Sequence, residues 1–217
     1  VTYTGNFTGS QGVGHGLGVR PDVVIIKNRE QAINWIVWTS SLASGNFLSL
    51  DTNNAASSSS RIYQNGYTTS TFGIGANNSV NKSGFDYIAY CFAEKQGYSK
   101  FGKYIGNGNV DGPFVYLGFQ PAWILLKRSD SATGGNWHII DNKRSASGGA
   151  NVNVYSIVAN EANAESTGEA ESTYGVDFLS NGFKIRASHS TRNTSGGTYI
   201  YMAFAENPFT TSTGIPT

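Results

Sequence analysis

The sequence predicts an all-β protein made of two tandem, jelly-roll-like antiparallel β-sandwich domains that arose by internal duplication. Three observations predict it: a polar but weakly charged composition, short apolar segments between turn residues, and repeated blocks. Charged residues make up 13% of the 217 residues, and the chain holds 27 Gly, 12 Tyr and 12 Phe. Aromatic residues favour strands, whereas Gly, Asn and Ser favour the turns that join them. A chain of this length has room for two domains of about 100 residues each.

Five blocks recur in the same order in the two halves of the chain. They are Tyr3–Asn6 with Tyr104–Asn107, Gly18–Lys27 with Gly118–Lys127, Asn34-Trp35 with Asn136-Trp137, Gly66-Tyr67 with Gly182-Phe183, and Asn81–Glu94 with Asn193–Glu206. Compositional bias does not produce five blocks in one order, so we interpret the pattern as a duplication. It predicts a first domain at 1–96, a linker at 97–103, a second domain at 104–209 and a C-terminal tail at 210–217. The second copy carries an insertion at about 142–174, which we expect to be a loop with a short helix at Ala159–Glu165.

The apolar segments indicate which strands lie at the centre of each sheet. Val23–Lys27 and Trp123–Lys127 are continuous apolar runs, typical of strands buried on both faces. Tyr87–Glu94 and Tyr199–Glu206 alternate between bulky and mostly small residues. We therefore predict that these two segments are equivalent interior strands, each with a bulky and a small face.

The single cysteine excludes an internal disulfide. Cys91 aligns with Ala203, so we expect a small buried residue and not a nucleophile. Such a chain folds in a reducing cytoplasm or reaches the outside without oxidative folding. Because the sequence begins at Val1 and not at Met, we expect it to be part of a longer chain.

Charge and motif spacing argue against several kinds of function. A net charge of +1 gives no electrostatic reason to expect nucleic acid or membrane as a partner. The three histidines, His15, His138 and His189, lack metal-ligand spacing, and we expect His138 to be a partly exposed structural residue. Acidic residues cluster around the insertion, where we interpret them as a solvated loop; they are Glu161, Glu165, Glu169, Glu171 and Asp177. The sequence thus predicts no catalytic residues, no metal and no cofactor.

Tryptophan offers the one candidate for ligand contact. Trp35 and Trp137 occupy equivalent positions, and each follows an asparagine, Asn34 or Asn136. Indole rings can stack on sugar rings, and the amides can bond to hydroxyl groups. A shared core predicts the same equivalence, so the two interpretations stay open here.

Several of these blocks resemble a repeat family of virion proteins encoded by marine bacteriophages and related prophages. The segments that carry the resemblance are Tyr87–Glu94, Gly97–Gly102, Tyr104–Gly108, Asp111–Phe114, Gly118–Pro121, Val176–Lys184 and the ending Tyr199–Phe209. The resemblance covers nearly the whole chain. It implies a structural or tail-associated role in a virion and brings no catalytic residues with it.

Three functions follow as expectations. The first is a non-catalytic virion protein of a tail fibre or surface appendage, made in the bacterial host cytoplasm and used at the virion surface for host attachment or assembly. Its expected partners are copies of itself, other virion proteins and host surface glycans. The second is a carbohydrate-binding module or lectin-like domain, which needs exposed aromatic rings. The third is a glycan-degrading enzyme, which needs two carboxylates facing each other across a cleft.

Overall fold

The computed structural model describes residues 1–144, 152–166 and 170–208. The predicted tail at 210–217 and part of the predicted insertion lie outside these ranges. The chain divides into two compact units. Unit 1 comprises Val1–Thr52 and Ala56–Ala93, and unit 2 comprises Asn53–Ala55 and Glu94–Thr217. Unit 1 ends at Ala93, three residues before residue 96, where the sequence predicted the end of the first domain.

Unit 1 is built from antiparallel strands. Its described strands are β1 (Thr2–Thr4), β2 (Gln11–Gly14), β3 (Val23–Asn28), β4 (Ile36–Thr39), β5 (Asn46–Ser49), β6 (Ser57–Ser58), β7 (Thr71–Ile74) and β8 (Asp86–Phe92). Six of them form one sheet in the order β1-β8-β3-β4-β5-β6, and β2 pairs with β7 in a second sheet. A 3-10 turn spans Gln64–Gly66 and a single helical turn, α1, spans Asn78–Asn81.

Unit 2 repeats this pattern of pairing. Its described strands are β9 (Ser99–Ile105), β10 (Phe114–Tyr116), β11 (Pro121–Arg128), β12 (Trp137–Asp141), β13 (Ile157–Val158), β14 (Val176–Leu179), β15 (Gly182–Ile185) and β16 (Thr198–Ala205), with a helical turn α2 at Glu171–Tyr174. The larger sheet has the order β13-β12-β11-β16-β9, and the smaller sheet has the order β10-β15-β14. The all-β prediction is confirmed.

The predicted interior strands hold those positions. β8 lies between β1 and β3, and β16 lies between β9 and β11. Each of these strands turns its face of mostly small residues toward the hydrophobic core. The first tyrosine of the strand lies on the same face. Tyr87 and Ala89 belong to the core of unit 1, whereas Tyr199, Tyr201 and Ala203 belong to the core of unit 2.

One pair of residues that the sequence comparison matched does not occupy equivalent positions in the strand registers. Val13 lies opposite Phe72 in the β2–β7 pair, and Val115 lies opposite Phe183 in the β10–β15 pair. Phe183 therefore corresponds to Phe72, whereas the sequence comparison matched it to Tyr67, which follows the 3-10 turn. Aromatic residues after glycine are frequent in this chain, so a two-residue match was too short to fix the alignment.

The predicted helix at Ala159–Glu165 is also wrong. That segment begins with a turn after β13 and continues without regular structure. Asn160 and Glu161 instead direct their side chains toward the start of β12, where Asn160 Oδ1 accepts a hydrogen bond from Trp137 N at 2.7 Å. Side-chain bonds of this kind compete with helix formation.

Candidate functional site

The repeated tryptophans belong to a repeated structural element. In unit 2, Lys127 Nζ lies 5.4 Å from the centre of the Trp137 ring and donates to the carbonyl oxygens of Gly135 and Asn53, the latter at 3.3 Å. In unit 1, Lys27 Nζ lies 5.8 Å from the Trp35 ring. An ammonium group over an indole ring is a favourable contact. The lysine therefore ties the strand to the hairpin loop in both units.

Lys27 repeats the carbonyl contacts as well. Its Nζ donates to the carbonyl oxygens of Ile33 and Gln31, the latter at 3.5 Å. These two lysines are the last residues of the two apolar runs. From the sequence alone, they indicated only where each strand ends.

The two tryptophans differ in exposure. Trp137 is 2% exposed, so its ring offers no face to a ligand. Trp35 is partly exposed and stacks on Tyr90 with ring centres 6.4 Å apart. Of the predicted pair, Trp35 alone keeps an accessible part of its ring.

The two asparagines are bonded within their own units. Asn34 Nδ2 donates to Ser49 Oγ at 3.5 Å. Asn136 Nδ2 donates to Glu161 Oε1 at 2.7 Å, and Asn136 Oδ1 accepts from Asn160 Nδ2 at 2.9 Å. The Asn136 amide thus holds the segment after β13 against the start of β12, which favours a structural role.

A groove that the sequence did not single out lies beside Tyr116 in unit 2. Tyr116 ends the edge strand β10 and is 61% exposed, the largest exposure among the described large hydrophobic residues. Strand alternation explains this, because Val115 faces the core and its two neighbours face outward. The groove has a volume of about 480 Å³. Its lining residues are Glu94, Lys95, Gln96, Gly97, Ser99, Lys100, Tyr116, Leu117 and Gly118.

The wall opposite this ring is a polar turn. The backbone N–H groups of Tyr98 and Ser99 donate to the carbonyl oxygen of Lys95, and Gly97 adopts a φ of 72°, which favours glycine. This turn leaves the side chains of Lys95 and Gln96 exposed. The groove therefore combines an aromatic face with amide and ammonium groups.

Two further charged groups border the groove. Lys100 Nζ lies 5.9 Å from the centre of the Tyr116 ring. Glu94 is exposed, and its Oε1 accepts a hydrogen bond from Phe101 N at 3.0 Å. The carboxylate is thereby fixed in place, which suits an acceptor for ligand hydroxyl groups.

Unit 1 has no equivalent of this ring. The strand registers place Gly12 and Gly14 where unit 2 has Phe114 and Tyr116. The difference between the two units, Gly-Val-Gly against Phe-Val-Tyr, was the sequence signal that could have identified the groove.

A second groove, of about 520 Å³, has a charged lining. Asp111, Glu171 and Arg186 line it together with Val110 and Ser172. Lys184 Nζ lies 2.7 Å from Asp111 Oδ1, and Arg186 Nε lies 3.7 Å from Glu171 Oε1. The hydrogen bond from Lys184 lowers the pKa of Asp111. Both carboxylates pair with cations, and the lowered pKa of Asp111 is typical of an ion-pair network and not of a glycosidase general acid.

Arg186 also contacts a third carboxylate, that of Asp177, with its Nε 3.2 Å from Asp177 Oδ2. Burial raises the pKa of Asp177. Asp177 is not among the residues that line the groove, so this carboxyl group with a raised pKa does not share the groove with Asp111 and Glu171.

The remaining sequence predictions concern Cys91, His138 and metal binding. Cys91 is partly buried against the core of unit 1, and burial raises the pKa of its thiol to about 11. His138 is 5% exposed, so the expectation of partial exposure is wrong.

In the described part of the chain, no group of three or more His, Cys, Asp or Glu residues could hold a metal ion. Among the same residues, no helix has the length and apolar character that crossing a bilayer requires.

Comparison with known proteins gives one match. The model of a family described as a domain of unknown function, DUF7483, matches residues 1–208. The chain therefore belongs to this family. No curated protein and no solved structure shows a match.

Proposed function

We propose that this chain is a non-catalytic binding protein and that the groove beside Tyr116 binds a polar glycan. Tyr116 carries the proposal, since this residue is 61% exposed on an edge strand and its ring borders a groove whose other lining groups are largely polar. Sugar rings present apolar C–H faces that stack on such rings, while their hydroxyl groups need donors and acceptors around the edge. Glu94, Lys95 and Gln96 supply both kinds of group.

The setting we propose is the surface of a virion, in a tail fibre or a similar appendage used for host attachment or assembly. The resemblance of the sequence to virion proteins of marine bacteriophages supports it. A surface rich in hydroxyl and amide groups, with 13% charged residues, also suits contact with neutral polysaccharide. Single sites of this kind bind weakly, so we expect several copies acting together to supply the affinity.

Retention on immobilised bacterial polysaccharide tests the proposal. Purified protein is passed over columns that carry O-antigen or capsular polysaccharide, and retention is compared with a column that carries no glycan. The variant Tyr116→Ala should lose most of the retention. Phe114→Ala is the matched control, because Phe114 lies on the same strand and is also exposed but does not line the groove. Equal retention of both variants would contradict the assignment of the groove.

A parallel assay separates binding from hydrolysis. The same polysaccharides are incubated with the protein and sampled for new reducing ends over a day. A binding protein leaves the number of ends at the level of the blank. A steady release that Glu171→Gln abolishes would instead favour the glycan-degrading alternative at the charged groove.

A further inference from the structure

A cluster of polar side chains lies in the interior of unit 2, and none of its members lines either groove. Its centre is Arg192, whose side chain is 0% exposed. Arg192 Nη2 donates to Ser156 Oγ at 3.2 Å, whereas Nε and Nη1 have no hydrogen-bond partner among the residues that the structure describes. Ser156 Oγ also lies 3.4 Å from His138 Nδ1. The guanidinium is thus buried with only part of its hydrogen-bonding capacity used.

The unpartnered nitrogens of Arg192 define the kind of ligand that could bind here. Nε and Nη1 carry N–H groups, which can only donate hydrogen bonds. His138 Nε2 also has no hydrogen-bond partner among the described residues. Donors call for an acceptor, and beside a guanidinium the best acceptor is an anion.

Protein groups do not supply that negative charge. In the described ranges, the ion pairs formed by arginine involve Arg128, Arg144 and Arg186, and none involves Arg192. The guanidinium also lies 5.7 Å from the centre of the Tyr174 ring, a contact that brings no negative charge. An unpaired buried charge costs several kcal/mol, so its retention requires compensation.

Unit 1 shows that the fold does not need these polar groups. Arg192 directly precedes Asn193, and the residue before the equivalent Asn81 is Val80. His138 follows Trp137, and the residue after the equivalent Trp35 is Ile36. Val80 and Ile36 are both buried in the apolar core of unit 1. Unit 2 thus has two polar side chains at positions where unit 1 has two apolar ones.

We propose that Arg192 binds a small monovalent anion, with chloride as the candidate, in the interior of unit 2. The charge of the guanidinium and its free donors define the class of ligand. Because the Arg192 side chain is 0% exposed, the ligand has to be small. The anion neutralises the buried charge and thereby stabilises unit 2.

Anion-dependent thermal unfolding tests the proposal. The melting temperature is followed while sodium gluconate, whose anion is bulky, is replaced by sodium chloride at constant ionic strength. At a chloride concentration ten times the dissociation constant, we expect a rise of about 3–6 °C that saturates. The double variant Arg192→Val/His138→Ile, which installs the unit 1 residues, should show no such rise. Arg29→Val is the control, because Arg29 is an exposed arginine of unit 1.

A crystal grown or soaked in sodium bromide gives an independent answer and does not depend on the variants folding. An anomalous peak within hydrogen-bond distance of Arg192 Nε or Nη1 would establish the site. A water molecule at that position, or a chloride response that the double variant retains, would overturn the proposal.

Discussion

Tyr104 stacks on Tyr199 with ring centres 5.0 Å apart and 9° between the ring planes. Tyr3 stacks on Tyr87 in the same way, at 5.1 Å and 12°. The hydroxyl contacts match as well. Tyr104 donates to the carbonyl oxygen of Arg192 at 2.6 Å, and Tyr3 donates to that of Val80 at the same distance.

The second tyrosine of each stack binds two backbone groups. Tyr199 Oη donates to the Ser190 carbonyl at 2.6 Å and accepts from Thr194 N at 2.8 Å. Tyr87 Oη donates to the Asn78 carbonyl at 2.7 Å and accepts from Lys82 N at 2.8 Å. The rings fill the core, whereas the hydroxyl groups form hydrogen bonds with backbone groups of the segment that precedes the last strand of each unit. Such a repeated network is what a duplication predicts.

This network predicts the effect of removing one hydroxyl. Tyr199→Phe keeps the stack but leaves a partly buried carbonyl and a partly buried backbone N–H without their partner, which costs about 1–3 kcal/mol. Tyr87→Phe should cost a similar amount in unit 1. Denaturant unfolding followed by tryptophan fluorescence measures both. Tyr116→Phe is the control and should change the free energy of unfolding by less than about 0.5 kcal/mol.

Cys91 is expected to be dispensable. Cys91→Ala removes one partly buried sulfur from a position where unit 2 has Ala203, so the loss should not exceed about 1–2 kcal/mol. The raised pKa of about 11 keeps the thiol protonated at pH 8, and thiolate is the reactive form. Ellman's reagent should therefore react slowly with the native protein and quickly after denaturation. Fast reaction with the native protein would indicate a reactive site.

Much of the fold followed from the sequence because repeats and apolar runs record the large sheets. Those signals correctly placed the interior strands β8 and β16. They could not reveal Lys127, whose ammonium is buried at the end of an apolar run because the carbonyl oxygens of Gly135, in the hairpin loop, and of Asn53 accept hydrogen bonds from it. Residues of this kind acquire their role from groups distant in sequence.

The candidate site was missed for a related reason. Reasoning from the repeat favoured residues that the two units share, such as Trp137, whose ring is buried. The groove depends on Tyr116, and the interior polar cluster depends on Arg192, and unit 1 has Gly14 and Val80 in their places. Both proposed sites therefore rest on differences between the units, which a search for shared residues does not find.

His138 predicts how acid affects unit 2. Burial, with the charge of Arg192 as a second cause, lowers the pKa of His138 to about 2. The unfolded chain, with a pKa near 6.5, binds a proton that the folded chain does not bind, so stability falls as the pH drops from 6.5 toward 2. At pH 4.5 this amounts to about 2–3 kcal/mol relative to pH 7.5. His138→Ile should remove that part of the acid sensitivity, as measured by urea unfolding at both pH values. Equal acid sensitivity of the variant and the wild type would show that the imidazole is not held neutral.

Asn193 provides the strictest test of the shared scaffold. Its side chain is 0% exposed, and its Nδ2 donates to Asn107 Oδ1, the Asn109 carbonyl and the Ala187 carbonyl at 2.7–2.9 Å. Asn193→Asp keeps the shape but places a carboxylate oxygen against three acceptors, so we expect a loss of about 3 kcal/mol or more at pH 7.

Protonation should reverse part of this loss. The surrounding acceptors raise the pKa of the introduced carboxyl group in the folded state, so the folded chain binds a proton more readily than the unfolded chain. The penalty of Asn193→Asp relative to the wild type should therefore shrink as the pH falls from 7 to 4. Asn181→Asp is the matched control, because Asn181 is exposed, and it should have little effect at either pH. A penalty that is small at pH 7, or one that does not change with pH, would show that the hydrogen bonds of the buried amide do not hold the loop before β16.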